Sequence, residues 1–109
     1  METRHLIAFC TCPSADVATR IAERLVEAEL AACVNVLPGI TSIYRWQGKV
    51  QRDSELLLVI KTTAAAYPAL EREIRSLHPY ELPEIVAVGI ERGLPEYLRW
   101  VTEHSKARE

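Results

Sequence analysis

The chain has 109 residues with 13 basic and 15 acidic side chains, a net charge of −2, and we expect one domain over residues 1–109. Its charges of both signs are scattered, which argues against nucleic-acid binding because no basic stripe is present to neutralise phosphates. No apolar run reaches the roughly 18 residues of a membrane span, so we expect no membrane contact. Three cysteines without an export signal predict free thiols in a cytoplasmic protein.

The first two predicted elements are a strand and a helix. Residues 5–12 are apolar at nearly every position and end at Pro13, which predicts a strand buried on both faces. Ser14 is the expected N-cap of the following helix. Small and aliphatic side chains then recur at helical spacing, which predicts an amphipathic helix of about four turns: Ala18, Ile21, Ala22, Leu25 and Ala28.

The next segment predicts a very long hairpin, with arms over residues 32–46 and 49–62. Gly48 can adopt the positive φ of a tight reversal, and Pro38 with Gly39 predicts a bulge because proline cannot donate to a central ladder. Each arm would extend for roughly 45 Å, whereas a domain of this length has a radius of gyration of about 13 Å. The hairpin should therefore project from the domain and require a partner, such as a second copy.

The remaining elements are a helix, a strand and a short final helix. Pro68 should lie in the first turn of the second helix, which would begin no earlier than Ala64 and end at His78. Residues 84–90 form an apolar run typical of a strand, Gly93 to Pro95 should open the last helix, and residues 104–109 are expected to form a frayed tail.

This order of elements predicts an α+β fold of the ferredoxin-like type, βαββαβ plus a C-terminal helix, with both main helices on one face of an antiparallel sheet. An uncovered second face should alternate apolar and polar side chains, but the first, third and fourth strands do not alternate. A closed ring of identical subunits would cover that face and support the hairpin.

Four segments resemble the CutA family of divalent-cation tolerance proteins, within a match that runs from Cys10 to Trp100. They are residues 31–35 (AACVN), 38–46 (PGITSIYRW), 61–63 (KTT) and 78–85 (HPYELPEI). The resemblance implies a cytosolic homotrimer similar in architecture to the PII signalling proteins, with a role in tolerance of copper and other divalent metals.

The resemblance also implies a metal site. The ligands proposed for the family fall on Cys10, His78 and Glu84 of this sequence. Two positions depart from the family pattern: Leu77 stands where some relatives have a second histidine, and Cys12 where a small residue is common.

The residues themselves leave both candidate ligand types open. Cys10 and Cys12 share a face of a strand, so their sulfurs can either bind a soft ion such as Cu(I) or fill the core as small apolar groups. His78 can bind a metal or cap carbonyl groups at the end of its helix.

A second candidate site is a cleft between subunits lined by Trp46, Lys61 and Tyr80, with Tyr44 also nearby. Lys61 and Arg45 would suit an anionic ligand, whereas the aromatic rings alone would equally serve interface packing. This arrangement would fit a PII-like signalling module that docks on an unidentified protein. No nucleophile motif or phosphate loop is present, and we expect no enzymatic activity, although an uncharacterised enzyme is a third hypothesis.

Overall fold

The structure is a computed structural model that describes residues 4–106. Its seven elements occur in the predicted order: β1 (His5–Cys12), α1 (Ala15–Glu27), β2 (Cys33–Trp46), β3 (Lys49–Thr63), α2 (Tyr67–Leu77), β4 (Ile85–Gly89) and α3 (Pro95–Glu103). Among these residues, no helix combines the length and the hydrophobicity needed to traverse a bilayer. The strand predicted over residues 84–90 is one residue shorter at each end.

The four strands form one antiparallel sheet in the order β2-β3-β1-β4. Side chains of β1 that point to one face pack against both α1 and α2, which confirms the α+β ferredoxin-like arrangement with its main helices on one side. The fully buried side chains of this layer are Ala8, Cys10, Cys12, Ala18, Ile21, Leu25, Leu58, Ile60, Leu70 and Ile74.

The helix ends follow local chemistry. Ser14 accepts a hydrogen bond at Oγ from the backbone N–H of Val17 (3.2 Å) and so caps α1 as predicted. Pro68 lies in the first turn of α2, where the missing N–H costs nothing. The His78 amide donates to the Ile74 carbonyl and ends that helix directly after Leu77.

The long hairpin is confirmed. Gln47 and Gly48 have φ values of 51° and 81°, as a two-residue reversal of the primed type requires. The register of β2 against β3 shifts between Leu37 and Ile40, and Gly39 has a φ of 86°, so the predicted bulge lies at Pro38 and Gly39. The described residues extend for 45 Å along their longest axis but only 22 Å along the shortest, because the hairpin projects from the domain.

The sheet face that points away from α1 and α2 is largely apolar. The register places Phe9 beside Val59 and Val86 on this face, and β4 adds Val88. Val86 and Val88 are 52% and 53% exposed in the single chain. The non-alternating strand pattern therefore corresponds to an apolar surface that the chain itself covers only in part.

The predicted frayed tail is wrong for residues 104–106. Thr63 donates from Oγ1 to the Ser105 carbonyl (3.1 Å), and the Lys106 amide donates to the Glu29 carbonyl (2.7 Å). Ser105 is only 4% exposed. These backbone groups find partners on β3 and after α1, which holds a polar segment in place; residues 107–109 lie outside the described part of the chain.

Candidate metal centre

Three side chains that can ligate a metal meet beneath the helices. One ligand atom from each of Cys10, Cys12 and His78 lies within 4.8 Å of the others. Cys10 and Cys12 point to the same face because they are two residues apart on β1, and His78 reaches them because it directly follows α2, which packs on that face. Both cysteines are fully buried and His78 is 7% exposed.

Both ring nitrogens of His78 have partners within the chain. Nε2 lies 2.7 Å from the Thr11 carbonyl oxygen, and Nδ1 lies 3.2 Å from the Tyr80 backbone nitrogen. A carbonyl can only accept and an amide N–H can only donate, so the ring is the neutral tautomer with its proton on Nε2. His78 thus ties the loop after α2 to the end of β1.

The two thiols act on each other. The Cys10 thiol donates to the Thr11 carbonyl (3.7 Å), and its interaction with Cys12, together with burial, raises the pKa of Cys10 well above its ordinary value. The same interaction lowers the pKa of Cys12. The two thiols therefore titrate as a pair, and the thiolate is the form that binds metals.

The donor set fits a borderline or soft ion. Two sulfurs and an imidazole are typical ligands of zinc and of Cu(I), and a tetrahedral zinc site needs one more. Glu84 is exposed and its carboxylate is not part of the 4.8 Å cluster, but its negative charge contributes to the raised pKa of Cys10. The structure thus brings Cys10 and His78 together, adds Cys12 and places Glu84 nearby.

The two cysteines of the cluster also fill the hydrophobic core. Cys10 and Cys12 belong to the same buried cluster as Leu58 and Ile60. His78 is already hydrogen-bonded, so a metal can use its ring only if Thr11 or Tyr80 gives up a bond. The structural and the metal-binding roles of His78 therefore compete for the same nitrogens.

An open cleft of about 760 Å³ lies between the first arm of the hairpin and the loop before β4. Trp46 and Tyr80 both line it, as the sequence suggested for a binding cleft. Lys61 does not: it pairs in register with Cys33, and its Nζ donates to Asn35 Oδ1. Within one chain, the cleft therefore lacks the lysine expected for an anionic ligand, and an arrangement shared between subunits stays a prediction.

Glu55 is the cleft residue that the sequence did not single out as a ligand group. Its Oε2 accepts a hydrogen bond from the Tyr80 hydroxyl (2.6 Å), and Tyr44 donates likewise to Asp53. Burial, with the bond to Glu55, raises the pKa of Tyr80. Nothing in the alternation of β3 indicates that a loop from the far end of α2 folds onto Glu55, so this pairing had no sequence signal.

The fold and these sites define a small ferredoxin-like protein with a buried thiol–imidazole donor set and an aromatic cleft beside a projecting hairpin. The chain belongs to the CutA1 divalent ion tolerance protein family, whose sequence model matches residues 6–104.

Similar proteins support this assignment across most of the chain. Human protein CutA is 52% identical over 96 residues, which cover 88% of this chain and 54% of the human protein, so the chain spans about half the length of that relative. The solved structure of a divalent cation tolerance protein from Thermus thermophilus has 53% identity and a TM-score of 0.92, covering 94% of this chain and 99% of its own. The PII-like protein CutA from Nostoc sp. PCC 7120, in apo form, has 36% identity and a TM-score of 0.88, with 94% and 99% covered.

Proposed function

We propose that the protein binds copper and other divalent metal ions and contributes to the metal-ion response as a binding protein rather than an enzyme. The observation that carries this proposal is the buried cluster in which donor atoms of Cys10, Cys12 and His78 lie within 4.8 Å of one another. Names of relatives that refer to divalent-cation tolerance point the same way.

Each residue would have a distinct part. Cys10 and Cys12 supply two sulfurs, and a bound cation offsets the cost of charging both of these buried thiols. His78 offers one ring nitrogen while the other keeps a backbone partner that orients the ring. Glu84 would complete the set as a fourth ligand, because its charge already acts on Cys10.

We also propose that the protein acts as a cytoplasmic homotrimer. The exposed Val86 and Val88 on the uncovered sheet face, and the projecting hairpin with Ile43 exposed, favour contacts with further copies. All three cysteines are free thiols, which suits a reducing compartment.

Calorimetric titration of the reduced protein with Zn²⁺, and with Cu⁺ under anaerobic conditions, tests the metal proposal. We expect about one ion per chain at submicromolar affinity, and a loss of at least about tenfold in Cys10→Ser, Cys12→Ser and His78→Asn. Cys33→Ser is the matched control, because Cys33 lies outside the cluster. Weak binding that is the same in all four variants would contradict the proposal.

A second candidate function is that of a PII-like signalling module that binds a small ligand in the cleft and docks on a protein partner. The observation that favours it is the 760 Å³ cleft itself, which is within the range of small-molecule sites and carries aromatic side chains beside a few polar ones. A screen of small molecules, with the indole N–H resonance of Trp46 as the readout, tests this second function. If no molecule shifts that resonance, the second function is contradicted.

A further inference from the structure

Glu55 is a buried carboxylate without a cationic partner in the described part of the chain. It is 6% exposed, and the neutral Tyr80 hydroxyl is the group that donates to it. The ion pair found over residues 4–106 joins Arg24 to Glu73, at the other side of the sheet. Because a buried carboxylate is costly unless a cation or several donors compensate it, this site is electrostatically incomplete.

Aromatic rings surround the same space. Tyr44, Trp46 and Tyr80 all line the cleft that contains Glu55. Both tyrosine hydroxyls are engaged by carboxylates, Tyr44 by Asp53 and Tyr80 by Glu55, so their rings have a fixed orientation. The face of an aromatic ring attracts a cation, and tryptophan does so most strongly.

The charged side chains that line the cleft also favour a cation over an anion. Glu55, Glu81 and Glu84 contribute carboxylates, whereas Arg45 contributes the one guanidinium among the described lining residues. Arg45 is held at the tip of the hairpin, where its Nη1 donates to the Gly48 carbonyl (3.4 Å). Lys61 lies outside the cleft altogether.

We propose that the cleft binds a small organic cation, a protonated amine or an alkylated ammonium, with its charge at Glu55 and its apolar body against Trp46. This inference rests on the second candidate function, because it specifies the class of ligand that the cleft takes. A bare metal ion would suit the carboxylates but would leave the three aromatic rings without a role.

Three probes that share a phenyl ring and differ in charge separate the effect of charge from that of the apolar body: benzylammonium, benzyl alcohol and benzoate. The readout is the indole N–H resonance of Trp46, recorded on the full chain in solution. We expect benzylammonium to bind at least about tenfold more tightly than benzyl alcohol, and benzoate to bind weakest. Higher salt should weaken the binding of benzylammonium and leave that of the alcohol nearly unchanged.

Glu55→Gln removes the charge and retains the shape, and Tyr80 can still donate to the amide oxygen. It should reduce benzylammonium affinity about tenfold and leave benzyl alcohol unaffected. Glu73→Gln is the matched control, because it removes a carboxylate that lies far from the cleft. Trp46→Leu, at an exposed position, should weaken all three probes when binding is measured by calorimetry.

Two kinds of result overturn the inference, and they are distinguishable. If benzoate or benzyl alcohol binds as tightly as benzylammonium, the cleft takes ligands but not by this chemistry. If no probe shifts Trp46, the cleft-binding function fails as well. In the latter case, a loss of self-association in Glu55→Gln would show that a cation from a second copy is the partner of Glu55.

Discussion

The His78 ring donates from Nε2 to the Thr11 carbonyl across 2.7 Å and thereby joins the end of α2 to the end of β1. Thr11 separates the two cysteines of the metal cluster in sequence. The same imidazole therefore stabilises the fold and borders the candidate metal site. A metal ion that binds a His78 nitrogen must displace a hydrogen bond that this nitrogen already makes.

Removing this imidazole should destabilise the protein even without metal. In His78→Ala the Thr11 carbonyl and the Tyr80 amide lose their partner, and we expect a decrease of about 3 kcal/mol in the free energy of unfolding. His104→Ala is the control, since His104 is exposed and its ring packs on Trp100. Urea denaturation at fixed protein concentration measures both, and equal effects would contradict a structural role for His78.

The bulge glycine should be sensitive to an added side chain for conformational reasons alone. A Cβ at Gly39 meets no atom within 4 Å, but its φ is 86°. Gly39→Ala should therefore lower stability by about 1 kcal/mol. At Gly89 the Cβ also meets no atom and φ is ordinary, so Gly89→Ala should be neutral or slightly stabilising, by up to about 1 kcal/mol. The prediction fails if the two variants unfold at the same urea concentration.

Tyrosine ionisation should make the protein less stable at alkaline pH. Burial and the bond to Glu55 raise the pKa of Tyr80, so the folded chain retains a proton that the unfolded chain releases near pH 10. The contribution of this bond is complete below about pH 10 and is lost as the pH rises towards the folded value. The free energy of unfolding, measured from pH 8 to 12, should decline in this way, and the decline should be smaller in Tyr80→Phe. An identical pH profile in the variant would contradict a contribution from Tyr80.

A charge on the uncovered sheet face should prevent self-association without unfolding the protomer. Val86→Glu places a carboxylate in the apolar face, where burial between copies would be costly. Val26→Glu is the matched control, because Val26 is 43% exposed on α1. Sedimentation should give a single-chain mass for Val86→Glu and a larger one for the control and the parent. Equal masses for all three proteins would contradict association through this face.

Sequence patterns predict features governed by neighbouring residues. Pro38 cannot donate to the ladder and Gly39 can adopt a positive φ, so these two residues predict the bulge. The common face of Cys10 and Cys12 follows from strand periodicity. In contrast, Ser105 is anchored by its backbone carbonyl, which accepts from the Thr63 hydroxyl, and no pattern of side chains along the sequence indicates that contact.

Placement of the site residues depends on tertiary structure. His78 meets the cysteines because α2 packs across β1. Glu55 acquires its partner because the loop after α2 brings Tyr80 onto the hairpin. Side-chain chemistry groups Lys61 with Trp46 and Tyr80, whereas the register of β3 against β2 places Lys61 beside Cys33. Within one chain the proposed ligand of the cleft is therefore a cation, whereas the predicted anionic ligand would need Lys61 of another subunit.

X-ray absorption at the metal edge of the zinc- or Cu⁺-loaded protein tests the central claim most directly, namely that a metal ion is held by the sulfurs of Cys10 and Cys12. The account predicts two sulfur ligands, with a zinc–sulfur distance of about 2.3 Å, and the loss of one sulfur in Cys12→Ser. Cys33→Ser should leave the spectrum unchanged. A first coordination shell of nitrogen and oxygen alone, at full metal loading, would contradict the account.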